Sequence, residues 1–177
     1  MRLIEIIGGE GIIPKLNASY RDEAFLEIVE ALVASGRVPE KHKDALLMAL
    51  LKRESLGATS IGNHVAIPHV KTDLVTEFVG AIALSKKGID FAPGEPPVHV
   101  IILFLSPQRA VSGHLRLLAH IGGILNHDGY VRLLRDAEGR SEILDLVRDA
   151  ERMIFGDASA ADEEDDDRQG GKDPVLA

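Results

Sequence analysis

Apolar residues recur at helical spacing through Phe25, Ile28, Val29 and Leu32, with Asp22 and Glu23 ahead of them and Gly36 behind. With Ser19 as N-cap, that spacing predicts an amphipathic helix of about three to four turns. Pro39 opens a second helical stretch that ends at Gly57. Its run from Ala45 to Leu51 is apolar on every side, which predicts a helix buried between other elements. From Ala58 to Val70 short apolar pairs alternate with Gly, Thr, Ser, Asn and His, the pattern of short strands or loops, where functional groups concentrate. Phe78 to Leu84 and Val98 to Leu105 read as strands. The second is continuously apolar and rich in β-branched residues, which predicts a central strand covered on both faces. Gly88 and the cluster Pro93-Gly94-Glu95-Pro96-Pro97 predict turns between them. Beyond Pro107 helices return: Ser112 is a candidate N-cap before Leu115, Leu118 and Ile121, and Asp128 a cap for a short helix carrying Val131 and Leu134. Ser141 begins a last helix with Ile143, Val147, Ala150 and Ile154 on one stripe. Strands lying between helical stretches make the chain an α/β protein.

The pattern fades after Phe155. From there to Ala177 eight acids face only Arg168 and Lys172, so this segment holds −6 of the chain's net charge of −8. Its residues are small and acidic and bring too little apolar surface to offset the entropy of ordering them. The organisation expected is one folded domain over residues 1–155 and an acidic, disordered tail over 156–177. The folded part is then close to neutral, which argues against binding nucleic acid or an anionic membrane. With only 4% aromatic residues there is no platform for stacking bases. Cysteine is absent, which excludes disulfides, thiolate catalysis and Cys-ligated zinc. Met1 to Ile7 alternates polar and apolar residues without a long apolar run, and Val100 to Leu105 is far too short to cross a bilayer. A cytoplasmic chain without direct membrane insertion is expected.

Chemistry concentrates between Gly57 and His69. A histidine directly after proline follows a residue with fixed φ and no N–H, so the backbone path into His69 is stiff and its ring can be aimed repeatably. Phosphoryl transfer calls for such a nucleophile, with hydrogen-bond donors for the phosphoryl oxygens and a nearby cation. Thr59, Ser60 and Asn63 are candidate phosphate-binding donors, and Arg53 is the candidate cation.

Arg53-Glu54-Ser55-Leu56-Gly57-Ala58-Thr59-Ser60-Ile61-Gly62-Asn63, followed by Ala66-Ile67-Pro68-His69, closely resembles the phosphorylation-site signature of the fructose, mannitol and nitrogen-regulatory enzyme IIA family of the bacterial phosphotransferase system. Gly88-Ile89-Asp90-Phe91 with Gly94-Glu95-Pro96 agrees, as does Ser106-Pro107 before His114-Leu115-Arg116-Leu117-Leu118-Ala119. The resemblance spans about residues 10 to 153. It implies a three-layer α/β/α fold with a central mixed sheet flanked by helices, and a phosphotransferase role without metal or organic cofactor. By the same resemblance His69 accepts a phosphoryl group from the carrier HPr through Nε2 and passes it to a IIB-type acceptor in sugar uptake. Nitrogen-type members instead act as regulatory modules whose phosphorylation state controls a target protein. His114 is implied to lie beside His69 and stabilise the phosphoryl group, consistent with its place near a predicted helix N-terminus. Arg53 is implied to balance phosphate charge. The family usually has glycine where this chain has His64; it reads here as a tolerated surface side chain. A metal site from His64, His69 and His114 finds no support in their spacing. His42, His120 and His127 match no motif, and His99, inside an apolar strand, reads as structural.

Overall fold

The computed structural model describes residues 1–127 and 129–156, so the expected Asp128 cap and acidic tail lie outside the described residues. Its centre is a strand that cannot tolerate water on either side. Strand β6 (Val98–Pro107) alternates Val100, Ile102 and Phe104 toward one layer with Ile101, Leu103 and Leu105 toward the other, following the period of two of a pleated strand. Strand β5 (Val79–Ile89) pairs antiparallel with it and alternates in the same way, Ile82 and Leu84 to one side, Ala81 and Ala83 to the other. Short strand β1 (Ile12–Ile13) adds in parallel to β5. On the far edge of β6 lie β3 (Val65–Ala66) and β4 (His69–Thr72), both parallel to it, with β2 (Ser60–Gly62) antiparallel to β3. The mixed six-stranded sheet therefore runs β1-β5-β6-β3-β2, with β4 beside the second half of β6.

Helices cover both faces, as the α/β/α expectation requires. One layer holds α1 (Leu3–Ile7), α4 (Val111–Leu125), α5 (Tyr130–Asp136) and α6 (Arg140–Phe155) over Ile82, Val100, Ile102 and Phe104. The other holds α2 (Arg21–Ala34) and α3 (Lys43–Ser55) over Ala81, Ala83, Ile101 and Leu103.

Several local expectations shift. The N-cap of α2 is Tyr20 rather than Ser19, and the carboxylate of Glu23 reaches back to accept the Ser19 and Tyr20 N–H groups at 3.0 and 3.4 Å. The N-cap of α4 is Ala110, with Ser112 inside the first turn, and α6 starts at Arg140. Gly88 is not a turn between strands; it lies within β5, at φ +86, where the register against β6 slips between Leu84 and Ile89. The largest correction concerns α3. Only Leu46, Leu50 and Glu54 of it are buried, and Met48 is 65% exposed. The helix sits on the outside of its layer, so its apolar run is a half-covered face rather than a buried core.

Candidate functional site

At Pro68, which has no N–H to give the ladder, β3 and β4 are separated but keep one register against β6, from Ala66 opposite Ile101 to His69 opposite Phe104. Between β3 and β4 the Ile67 N–H turns away from β6 to the Thr59 carbonyl (3.0 Å), while the Pro68 carbonyl accepts the Phe104 N–H (3.0 Å). Pairing with β6 resumes at His69, directly opposite Phe104. The two rings stack, with centroids 5.4 Å apart and planes 17° from parallel. From the layer above Phe104, α4 brings in His114, buried in its first turns, whose ring lies edge-on to His69 at 5.3 Å and 5.1 Å from Phe104. From the opposite layer the last turn of α3 brings in Arg53. The structure thus gathers Arg53, His69 and His114 from three separate elements.

Hydrogen bonds hold both rings and set the tautomer of His69. His69 Nδ1 lies 2.7 Å from the Ile67 carbonyl, which can only accept, so Nδ1 carries the hydrogen and Nε2 keeps its lone pair. Nη2 of Arg53 donates toward that Nε2 at 3.3 Å, while Nη1 donates to the Gly57 carbonyl at 3.0 Å. His114 Nδ1 pairs with the hydroxyl of buried Ser106 at 2.7 Å. Burial pushes the His69 imidazole below its ordinary pKa; the Ile67 carbonyl opposes this, the Arg53 charge reinforces it and Glu54 counters it. His114 is pushed down to about 4, first by burial and then by His69, Lys71 and Arg53. Both shifts favour the neutral ring near pH 7, the form in which an imidazole nitrogen attacks phosphorus.

The other expected donors face elsewhere. The Thr59 hydroxyl is buried and donates to Glu54 Oε2 at 2.7 Å, and the Ser60 hydroxyl donates to Glu95. Asn63 is the first residue of a two-residue hairpin turn between β2 and β3, exposed at φ +48. His64 follows at φ +64, the position that favours glycine in such a turn. Its Nδ1 donates to the Pro97 carbonyl at 2.8 Å and its ring meets His99 at 5.4 Å, not His69. His99 Nδ1 in turn donates to the Ser85 carbonyl at 2.8 Å, the structural role expected of it. Among the described residues no group of three or more His, Asp or Glu is arranged to hold a metal.

Glu54 and Ser106 lie within the resembling motifs but carried no role of their own there, and Phe104 was not singled out as a member of the site. The detectable signals were Ser106, a polar residue at the end of a continuous apolar strand, and Glu54, beside Arg53 in the signature.

Residues 5–150 match the family model described as phosphoenolpyruvate-dependent sugar phosphotransferase system, EIIA 2. The chain belongs to this family, whose members are phosphocarrier or regulatory components of the phosphotransferase system. It is 33% identical over 128 residues to the PTS system fructose-specific EIIA component of Haloferax volcanii, spanning 72% of this chain and 82% of that one. It is 30% identical over 148 residues to a nitrogen regulatory protein of Bradyrhizobium diazoefficiens, spanning 83% and 95% respectively. The crystal structure of nitrogen regulatory protein IIA-Ntr from Neisseria meningitidis superimposes with a TM-score of 0.72 at 25% identity, covering 81% of this chain and 97% of that one. Among the described residues no helix is long and apolar enough to cross a membrane.

Proposed function

We propose that His69 is the phosphoryl acceptor of a phosphocarrier, receiving the group from an HPr-type phosphoprotein and passing it to a IIB-type acceptor. The observation that carries this reading is the tautomer: with Nδ1–H held by the Ile67 carbonyl, Nε2 presents a lone pair beside the Arg53 guanidinium. In the transfer the donor's P–N bond breaks as a bond from phosphorus to Nε2 forms. Arg53 balances the charge on the phosphoryl oxygens, and His114 offers a ring N–H toward them. Leu56, Ile61, Val111 and Leu115 are exposed on the elements and loop that build the site, which suits docking of a protein rather than a small molecule. Thr59 and Ser60 hydroxyls would have to leave Glu54 and Glu95 to act as phosphate donors, so Arg53 and His114 are the principal ones.

Incubation with phosphoenolpyruvate, enzyme I and HPr is expected to add one acid-labile, base-stable phosphoryl group. His69→Gln abolishes it, because an amide nitrogen is not nucleophilic at neutral pH. His114→Gln keeps a hydrogen-bond donor and retains acceptance, with slower onward transfer. Phosphate mapped to His114, or undiminished labelling of His69→Gln, overturns the assignment.

A regulatory module is the second reading, favoured by the 95% coverage of the Bradyrhizobium nitrogen regulatory protein. In that case the phosphorylated chain holds its label in the presence of IIB-type acceptors, while its binding to a target protein changes with labelling.

A further inference from the structure

Glu54 has no part in the transfer described above, yet among the described residues it is one of few charged side chains that are buried, at 4% exposure. Both carboxylate oxygens are engaged by one residue: the Thr59 N–H reaches Oε1 at 2.7 Å and the Thr59 hydroxyl reaches Oε2 at 2.7 Å. Burying a charge this deeply costs free energy unless hydrogen bonds compensate it, and here the Thr59 N–H and hydroxyl supply them. What this grip secures is a chain of contacts ending at the reactive ring. The Thr59 carbonyl accepts the Ile67 N–H at 3.0 Å, and the Ile67 carbonyl accepts Nδ1–H of His69 at 2.7 Å. Proline follows Ile67, so the direction of that carbonyl is settled by where the Ile67 N–H is held and by the paired strand beyond. The neighbouring Arg53 clamps the same loop through the Gly57 carbonyl while its other nitrogen faces His69. Adjacent residues at the end of α3 therefore anchor the loop from Gly57 to Thr59 and through it the histidine.

We propose that Glu54 is a positioning residue: by gripping Thr59 it aims the Ile67 carbonyl at His69 Nδ1 and so keeps Nε2 as the unprotonated, attacking nitrogen. The linkage is mechanical, since the hydrogen bonds pass through different peptide groups. Glu54 has a second effect, because its charge opposes that of Arg53 at the His69 ring. The two consequences separate by substitution. Glu54→Gln preserves shape, and its amide can accept the Thr59 N–H and donate to the hydroxyl, so the tautomer is kept while the countercharge is lost. Glu54→Ala removes grip and charge together.

The kinetic consequence rests on the phosphocarrier reading, but the tautomer does not, so the test has an arm for each. Long-range ¹H–¹⁵N NMR of the His69 ring in the full chain should show the Nδ1–H form in the wild type and in Glu54→Gln, with a lower apparent pKa in Glu54→Gln. Glu54→Ala, shown to be folded by circular dichroism, should populate both tautomers and accept phosphate from phospho-HPr about tenfold more slowly or worse. Thr59→Val, which keeps the N–H and loses only the hydroxyl, should fall between them. If folded Glu54→Ala keeps a single Nδ1–H tautomer, the positioning role is overturned. If the tautomer changes as expected but the wild type takes no phosphate, the proposal for Glu54 stands and the phosphocarrier reading falls.

Discussion

At His114 a single side chain joins burial, hydrogen bonding and function. The residue is 7% exposed, its ring meets both Phe104 and His69, and its pKa falls from an ordinary 6.5 to about 4. In the window between those values the unfolded chain binds a proton that the folded chain refuses, so acidification favours unfolding. This contribution to stability is intact above the ordinary value, is lost as pH falls toward about 4 and changes no further below that. The expected outcome is that the wild type loses more thermal stability between pH 7 and about pH 4 than His114→Gln does, measured as the difference between their melting midpoints across that range. Equal losses would mean that the buried imidazole accepts its proton without penalty. Local spacing placed His114 only near a helix start; its place beside His69 came from the resemblance, and neither announced the Ser106 and Phe104 surroundings of the ring. Thr59 shows the opposite case. Its hydroxyl was legible as a donor, but only the turn at the end of α3 decided that Glu54 would receive the bond.

Strand β6 and helix α3 show how far a hydrophobic pattern predicts an element's surroundings. Both carry near-continuous apolar runs. In β6 every residue from Val100 to Leu105 is buried, because the sheet has helices on both faces. In α3 the run meets the sheet along one stripe only and leaves Met48 65% exposed. Ile102→Ala should therefore cost about 2–5 kcal/mol, from lost transfer energy and the cavity left behind. Met48→Ala should change stability by no more than about 0.5 kcal/mol. Denaturant midpoints of the two variants check both values, and a large loss at Met48 would restore the buried-helix expectation. The existence and type of these elements could be read from the sequence because they repeat over many residues. Their caps shifted by one or two positions because capping is settled by a few side chains, such as Glu23 reaching back past Ser19.

For the whole molecule, the buried residues of the hydrophobic clusters on the two faces of the sheet, among the described residues, run from Leu3 to Ala150, with Ile154 packed against them. The segment beyond Phe155, outside the described residues for all but Gly156, holds −6 of the net charge and adds little apolar surface. Truncation after Phe155 should leave both the melting midpoint and phosphorylation by phospho-HPr intact. Loss of transfer with the fold preserved would make that segment part of the docking surface. The sequence alone determined that the chain is α/β, that β6 is central, that Pro68 stiffens the path into His69, and, through the order of its motifs, the family. These are properties of periodicity, of proline's fixed φ and of residues adjacent along the chain. Only the tertiary structure decided that Phe104 lies beneath both imidazoles, that Ser106 pairs with His114, that α3 stays half exposed and that Glu54 reaches His69 through Thr59 and Ile67. Each of these depends on how the elements and the turn after α3 pack against the sheet, which spacing along the chain does not fix.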